Sequence, residues 1–93
     1  MFATVRVYEG SRELLDALVE NESEVRRVID GIDGFKAYYL IGTPDGAASV
    51  SVFEDEAGAT ESNRAAAAWI AENLPQLQVA APKVSAGEVA IQF

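Results

Sequence analysis

The sequence predicts an α+β fold in which two helices pack on one face of a four-stranded antiparallel sheet. The first observation is a pair of β-prone runs, residues 34–41 and 47–54, separated by a turn that contains Pro and Gly; this predicts a hairpin. The second is a segment of helical periodicity on each side of the hairpin, and the third is one further strand near each terminus. The resulting β-α-β-β-α-β order is that of a ferredoxin-like unit.

Size and composition indicate a folded protein. The 93 residues are 49% hydrophobic and 24% charged, and a chain of this length cannot divide and still give each part a core. We therefore expect a single domain over residues 1–93. The N-terminus has no basic region followed by an apolar block, and the apolar runs are too short to span a bilayer. We expect a cytoplasmic protein with no secretion signal and no membrane association.

Charge and missing residue types narrow the possible functions. A net charge of −8, with seven basic residues scattered among fifteen acidic ones, argues against a nucleic-acid partner and against anionic membranes. The absence of His and Cys removes the usual nucleophile pairs, thiolate chemistry, His-ligated haem and the usual zinc sites. We therefore expect no metal and no cofactor, so that any chemistry must use carboxylates, Tyr, Lys, Arg, Asn, Trp or hydroxyls.

The first strand, residues 2–8, alternates between two faces. One face consists of Ala3, Val5 and Val7, and the other of Phe2, Thr4, Arg6 and Tyr8. A face that mixes a hydroxyl, a guanidinium and aromatic rings is typical of a ligand cavity or an interface, which makes Arg6 a candidate ligand-binding residue. The composition also fits a structural role, in which the rings close the sheet and Arg6 pairs with a neighbouring acid.

The first helix is expected over about residues 11–31, with Ser11 as its cap. Its apolar stripe at helical spacing is Leu15, Leu18, Val25, Ile29 and Ile32. Glu22 falls on this stripe, and because Glu is rarely buried without a partner, it favours a break near residues 21–23. Gly31 and Gly34 then end the helix, since glycine tolerates the left-handed conformation of a helix end.

The hairpin leaves one face of the sheet in need of a cover. Strand two places Phe35, Ala37, Tyr39 and Ile41 on one face and Lys36, Tyr38 and Leu40 on the other, while strand three places Ala48, Val50 and Val52 opposite Ser49, Ser51 and Phe53. In the turn, Pro44 presets the bend and glycine supplies positive φ. Two helices cover only one side of the sheet, so we expect the other side to meet a second subunit in a homodimer.

The second helix begins after Asp55, a suitable cap, and ends at Pro75. Its stripe consists mostly of small residues, with Trp69 on the shoulder: Ala59, Ser62, Asn63, Ala66, Ala67 and Ile70. Small side chains let the helix lie close to the sheet or leave a hollow beside it. The fourth strand is expected over residues 83–93, with Gly87 as a possible bulge or point of close approach.

Three local features accompany the β-α-β-β-α-β order: Gly34-Phe35-x-x-Tyr38 at the start of strand two, the run 50–54 leading into an acidic helix start, and Ala67-x-Trp69. With them the chain resembles the dimeric α/β-barrel superfamily, especially the antibiotic-biosynthesis-monooxygenase-like proteins. The resemblance implies a dimer whose sheets face one another to form a barrel. Members include cofactor-independent oxygenases acting on aromatic polyketides or quinols, haem-degrading enzymes, muconolactone-type isomerases and many proteins without known activity.

The resemblance also implies a site. In the oxygenases and haem-degrading members an Asn and a Trp line a cavity between helices and sheet, and Asn63 and Trp69 are the nearest counterparts here. The haem-degrading branch needs a helix histidine, which is absent, and the isomerase branch lacks its expected acid-base pattern. Two classes of function stay open: a non-catalytic dimer that binds a small hydrophobic molecule or acts as an interaction module, and a cofactor-independent monooxygenase acting on a small aromatic or quinol-type substrate.

The candidate site lies between the second helix and the sheet. The candidate catalytic residues are Asn63, Trp69 and Tyr38, and the candidate ligand-binding residues are Arg6, Tyr39, Ala66 and Ala67. In an oxygenase Asn63 would polarise a carbonyl, Trp69 would stack on the ring, and the tyrosines or Arg6 would hold the developing oxyanion. In a purely structural account the Trp and Tyr rings fill space and Asn63 caps locally.

Overall fold

The structure, a computed structural model, describes residues 1–10 and 12–93. Its elements are β1 (Phe2–Glu9), α1 (Glu13–Glu20), α2 (Glu22–Asp30), β2 (Phe35–Thr43), β3 (Gly46–Phe53), α3 (Glu56–Asn73), a 3-10 turn (Pro75–Leu77) and β4 (Lys83–Glu88). The strands form one antiparallel sheet in the order β2-β3-β1-β4. The predicted ferredoxin-like α+β fold is confirmed.

The predicted first helix consists of two helices separated at Asn21. The side-chain amide of Asn21 donates to the carbonyl oxygen of Ala17 at 2.8 Å, and the residue both ends α1 and precedes α2. Glu22, the first residue of α2, is exposed. The break expected near residues 21–23 is therefore confirmed, and the Glu22 carboxylate lies outside the core. The expected cap, Ser11, lies outside the described residues.

All three helices pack on one face of the sheet, which we call the helix face. Its central positions are Thr4, Arg6 and Tyr8 of β1 and Ser49, Ser51 and Phe53 of β3, all buried. Two apolar clusters hold the helices there, one of Tyr8, Leu14, Leu18 and Leu74 and one of Ile29, Phe53 and Ala59. Four of the six central positions carry polar side chains, so the clusters flank a polar centre rather than covering a uniformly apolar sheet.

The start of α3 is fixed by a cap and a close contact. The carboxylate of Asp55 accepts a hydrogen bond from the backbone N–H of Gly58 at 3.2 Å, which confirms the expected cap. A Cβ atom at Gly58 would lie 2.8 Å from Cδ1 of Phe53, whose ring is fully buried. Glycine therefore lets the first turn of the helix lie directly on that ring.

The opposite side of the sheet, which we call the open face, is uncovered in the structure. Strand alternation places these residues on it: Ala3, Val5, Val7, Ala37, Tyr39, Ile41, Ala48, Val50 and Val52. Tyr39 is 61% exposed and Ile41 47%. Because the helices of the described chain occupy the other side, this apolar surface stays accessible to solvent in the single chain.

Because of a β-bulge at Lys36, Phe35 and Ala37 lie on opposite faces of the sheet and not on the same face as expected. Phe35 lies opposite Phe53 and Ala37 lies opposite Val52, so Lys36 is the extra residue. The ring of Phe35 therefore lies on the helix face and packs edge-on against Phe53, with centroids 6.0 Å apart. Simple alternation wrongly placed Phe35 with Ala37 on the open face, because it assumes a regular ladder.

Two further expectations about glycines are wrong. The hairpin turn is formed by Pro44 and Asp45, and Gly46 has no positive φ. Gly46 is needed for a different reason, since a Cβ there would collide with the carbonyl oxygen of Tyr8. The ladder between β1 and β4 runs without a shift through Gly87, where a Cβ would meet nothing within 4 Å, so this glycine marks neither a bulge nor a close approach.

The last strand is shorter than expected. β4 ends at Glu88, and residues 89–93 have no regular secondary structure, although the N–H of Val89 donates to the carbonyl of Met1 at 2.9 Å. Every residue of β4 is exposed, because the helices pack over the other strands. None of the described helices combines the length and apolar character that crossing a membrane requires.

Candidate ligand-binding site

Arg6 lies at the centre of the helix face, with 2% of its surface exposed. Its Nη1 donates to Oδ1 of Asn63 at 2.8 Å and to Oγ of Ser62 at 3.5 Å, and its Nη2 donates to Oγ of Ser51 at 3.4 Å. The hydroxyl of Thr4 donates to the same Asn63 oxygen at 3.1 Å. Only the bond to Asn63 is short, so the guanidinium is held mainly from α3.

No carboxylate in the described parts of the chain forms an ion pair with Arg6. The ion pairs there join Arg26 to Asp30, Lys36 to Glu54 and Arg64 to Glu61, with partly exposed side chains in each. Arg6 is thus surrounded by neutral oxygens, although a guanidinium stays protonated in proteins. A buried charge is costly unless it is paired, so its position favours a role in binding over the purely structural pairing with an acid.

A small cavity of about 30 Å³ lies next to Arg6, between the sheet and the helices. Its polar wall is formed by Arg6, Tyr8, Tyr38 and Ser49, and its apolar wall includes Leu18, Leu40, Ala66 and Trp69. Two buried atoms of the polar wall, Nε of Arg6 and Oγ of Ser49, have no hydrogen-bond partner among the described residues. The volume suits about one water molecule and is too small for an organic molecule.

Two larger grooves meet at this cavity. The first, about 470 Å³, runs between α2 and β2 and shares five lining residues with the cavity. These are Leu18, Val25, Ile29, Tyr38 and Leu40. The second, about 610 Å³, lies between α3 and the segment 74–84 that leads into β4, and includes Arg6, Asn63 and Ala67. We call them the α2/β2 groove and the α3/β4 groove; Arg6 lies where their inner ends approach each other.

The two tyrosines of the cavity are hydrogen-bond donors at neutral pH. Burial raises the pKa of Tyr8 above its usual value of 10.0, and the positive charge of Arg6 opposes part of that shift. Burial also raises the pKa of Tyr38, against the charge of Arg6 and the nearby hydroxyl of Ser49. The residues described along the cavity wall include no carboxylate. The cavity thus offers a cation and hydroxyl donors, but no side chain suited to act as a general base.

The structure brings most of the sequence-predicted site residues to the helix face. Four of these residues line the cavity: Arg6, Tyr38, Ala66 and Trp69. Asn63 and Ala67 lie in the α3/β4 groove, and Asn63 reaches the site through its bond to Arg6. Tyr39 lies on the open face, 61% exposed, and is not brought to the others.

Sequence reasoning did not single out Tyr8 or Ser49 as site residues. Tyr8 follows Arg6 by two positions on the same strand face, a signal that was available from alternation alone. Ser49 lies directly opposite Arg6 in the β1–β3 register, which the sequence does not specify. The Ser49 hydroxyl could therefore be placed at the cavity only from the structure.

Comparison with known proteins shows relatives in fold only. No family model and no curated protein sequence matches the chain. The NE2512 protein of unknown function from Nitrosomonas europaea superposes with a TM-score of 0.73 at 18% identity, covering 99% of this chain and 91% of that one. A variant of MhuD with two manganese protoporphyrin IX molecules bound per active site superposes with a TM-score of 0.72 at 13% identity, covering 100% of this chain and 98% of that one. A candidate monooxygenase from Shewanella loihica superposes with a TM-score of 0.61 at 14% identity, covering 98% of this chain and 95% of that one.

The porphyrin of MhuD prompts the question of whether this site fits one. A macrocycle would have to lie in one of the two larger grooves, because the cavity of about 30 Å³ is too small for it, and the chain has neither His nor Cys to ligate its iron there. Tyrosine ligates haem iron in some proteins, but burial raises the pKa of Tyr8 and Tyr38 and so disfavours the phenolate that would bind the metal. The residues present do not fit a porphyrin, and the absence of a bound cofactor stays a prediction.

Proposed function

We propose that this protein is a non-catalytic, antibiotic-biosynthesis-monooxygenase-like module that binds a small hydrophobic molecule between its helices and its sheet. The observation that carries the proposal is the cavity beside Arg6, whose wall holds two buried polar atoms that find no partner in the described part of the chain, Nε of Arg6 and Oγ of Ser49. Buried polar groups are almost always hydrogen-bonded in folded proteins. Unpaired donors beside apolar side chains are the pattern expected of a ligand site.

The ligand would lie mainly in the α2/β2 groove, with its polar end in the cavity. This groove shares Leu18, Leu40 and Tyr38 with the cavity, so a molecule in it can reach the polar wall without disturbing the sheet. The side chain of Ala66 on α3 forms part of the cavity wall and is small enough to leave the space open. Trp69 supplies a flat apolar surface beside it.

Binding without catalysis is supported by the chemistry of the wall. A reaction that starts by removing a proton needs a base near the reacting oxygen, and the polar groups of the described cavity wall are hydroxyls, a guanidinium and the indole N–H of Trp69, whereas the carboxylates of Glu22 and Asp30 line the α2/β2 groove outside the cavity. Burial keeps Tyr8 and Tyr38 protonated, so neither phenol serves as that base at neutral pH.

The second candidate is a cofactor-independent monooxygenase acting on a small aromatic or quinol-type substrate. In such a reaction a phenol reacts with O₂, one oxygen atom enters the quinone product and the other leaves in water, with the substrate supplying the electrons. Arg6, Tyr38 and the Nδ2 group of Asn63 would stabilise the substrate oxyanion, since Oδ1 of Asn63 already accepts from Arg6 and Thr4. The guanidinium in the site favours this candidate; the missing base restricts it to substrates that ionise readily.

We further propose that two chains pair through their open faces. The open face carries Val5, Val7, Val50 and Val52 at its centre, where no helix of the described chain covers them. Stable protein interfaces bury more than about 1,000 Å² in total, which two four-stranded sheets facing each other can supply. The resulting dimer would be the α/β barrel that the sequence predicts.

Fluorescence tests the binding proposal, because Trp69 is the sole tryptophan and lines the cavity. We expect saturable quenching by small planar aromatic compounds such as naphthalene derivatives, with one compound bound per chain. Compounds of this class that cause no saturable change would contradict the proposal. Oxygen uptake with 1-naphthol, accompanied by formation of one 1,4-naphthoquinone and one water per O₂ above the uncatalysed rate and lost in Arg6→Gln, would favour the monooxygenase instead.

A further inference from the structure

We infer that the molecule bound at this site is an organic anion, and that its charged oxygen is held by Arg6 and Ser49. The inference rests on the proposed function and names the class of ligand: a small planar hydrophobic body that carries a carboxylate, phenolate or enolate. These groups share one chemistry, an oxygen with negative charge that accepts hydrogen bonds from a guanidinium and a hydroxyl.

Charge balance is the first reason. Arg6 is 2% exposed, and a guanidinium is cationic in proteins, yet its described partners are all neutral: the oxygens of Asn63, Ser51 and Ser62, to which it donates, and the phenols of Tyr8 and Tyr38 beside it. Among the described residues the acids form ion pairs only with other basic side chains. The inside of the helix face is thus positively charged, and an anion is the ligand that neutralises it.

The positions of the unused donors are the second reason. Nε of Arg6 and Oγ of Ser49 are both buried on the wall of the same cavity, where the phenol of Tyr38 is their neighbour, and neither atom meets a hydrogen-bond partner at bonding geometry among the described residues. The two residues are direct partners in the β1–β3 register, so their side chains stand side by side on the helix face. An oxyanion entering the cavity would engage both donors while the short Arg6–Asn63 bond stays intact.

The side chains that line the α2/β2 groove determine what the uncharged part of the ligand must be. The α2/β2 groove is lined mainly by apolar side chains, and its charged residues are Glu22, Arg26 and Asp30. Arg26 and Asp30 pair with each other at 3.4 Å. A ligand with a second negative charge would therefore find no free cation along the described groove, whereas an apolar ring would lie against Leu40, Val25 and their neighbours. The groove and the cavity together therefore suit a ligand with an apolar body and a single negative charge at the end that enters the cavity.

The test uses isothermal titration of the wild-type protein with three compounds of similar shape: 2-naphthoate, the neutral 2-naphthamide, and 2-naphthol. We expect 2-naphthoate to bind at least about tenfold more tightly than 2-naphthamide, the usual scale of a charge-assisted hydrogen bond. Bound 2-naphthol would show the absorption band of naphtholate if the site takes phenolates, and the band of the neutral form if it is specific for carboxylates.

Three variants test whether the preference for 2-naphthoate over 2-naphthamide comes from Arg6 and Ser49. Arg6→Gln should abolish the preference for 2-naphthoate, and Ser49→Ala should reduce it. Arg64→Gln, which removes an exposed cation of α3, should leave it unchanged. Circular dichroism checks each fold, and should Arg6→Gln not fold, the wild-type and Ser49→Ala titrations still decide.

Equal binding of 2-naphthoate and 2-naphthamide by the wild-type protein would overturn the inference and leave the binding proposal standing. The same holds for a preference that survives in folded Arg6→Gln. Failure of all three compounds to bind would overturn the binding proposal together with the inference.

Discussion

Arg6 and Asn63 are 57 residues apart in sequence and are joined by a hydrogen bond of 2.8 Å between Nη1 and Oδ1. The bond ties the central strand β1 to α3 and is the shortest contact of the buried guanidinium. Because Oδ1 also accepts from Thr4, one amide oxygen orders two side chains of the helix face. The position of the cation therefore depends on the register between α3 and the sheet.

The first prediction concerns this bond. Asn63→Ala should lower the free energy of unfolding by about 1.5–3 kcal/mol, because it leaves a buried cation without its best acceptor. In a double-mutant cycle with Arg6→Met the two changes should couple by about 1 kcal/mol or more, since the second removes the charge that the first leaves unpaired. Urea unfolding measures both quantities.

The control for this cycle is Arg64→Ala. Arg64 forms two short bonds with Glu61, at 2.6 and 2.8 Å, but both side chains are exposed. We expect the free energy of unfolding to stay nearly unchanged, because exposed ion pairs are screened by water. Additive effects of the Arg6 and Asn63 changes would show that their contact contributes nothing to stability.

The second prediction concerns the close approach of α3 to β3. Gly58→Ala should destabilise the fold by about 1–3 kcal/mol, because its Cβ would lie 2.8 Å from the buried ring of Phe53. This loss would exceed the gain in helix propensity, which is about 1 kcal/mol. Gly87→Ala is the comparison for a glycine without a close neighbour in the single chain, since its Cβ would meet nothing within 4 Å, and we expect a smaller loss than for Gly58→Ala. Thermal unfolding in which Gly58→Ala melts above the wild type would contradict the packing.

The third prediction concerns pH. The pKa values of Tyr8 and Tyr38 are raised by burial, so the folded protein holds these protons more tightly than the unfolded chain does. The stability they contribute is therefore fully present below the unfolded value of 10.0 and is lost as pH rises through the folded pKa values. Urea unfolding between pH 8 and about 11.5 should show this decline.

Two variants test whether the loss of stability at high pH comes from the buried tyrosines. Tyr38→Phe should make it shallower, because the buried phenol that resists ionisation is gone. Tyr39→Phe, on the open face, should retain the wild-type decline. An identical slope in Tyr38→Phe and in the wild type would show that the buried phenol does not govern alkaline stability.

The fourth prediction concerns the open face. Sedimentation equilibrium at micromolar concentration should show a dimer, and Val50→Arg should convert it to a monomer, because Val50 pairs with Val5 at the centre of that face. Val84→Arg is the control, since Val84 lies on the other side of β4, along the α3/β4 groove. A wild-type protein that sediments as a monomer would refute pairing through this surface.

The sequence was sufficient for the order of elements and for the unusual face of β1. Period-two alternation grouped Thr4, Arg6 and Tyr8, and the structure buries all three on the helix face. The break near Asn21 followed from a charge on an apolar stripe. These features depend on local periodicity, which a single sequence contains.

The remaining features depend on register and on distant side chains. The bulge at Lys36 moves Phe35 to the other face without any signal in composition. Gly46 is required by the carbonyl of Tyr8 on a neighbouring strand, 38 positions away by number. That Arg6 has no acid partner among the described residues is likewise a property of the assembled sheet, because the chain has fifteen acids and only their placement keeps them away.

The fifth prediction concerns the space beside α3. Ala66→Leu should prevent binding of 2-naphthoate, because the cavity of about 30 Å³ cannot take both a larger side chain and a ligand group. Its cost in stability should be about 1 kcal/mol, at the lower end of the range for overpacking, since part of the added volume enters the hollow. Ala57→Leu, at an exposed position of the same helix, should change neither property.

The most direct test of the binding site is the map of amide and indole NMR shifts on adding 2-naphthoate to isotope-labelled protein. We expect the largest shift changes at the amides of Arg6 and Ser49 and at the indole N–H of Trp69. Changes centred on Tyr39 and Ile41 of the open face, or the absence of saturable changes, would contradict it.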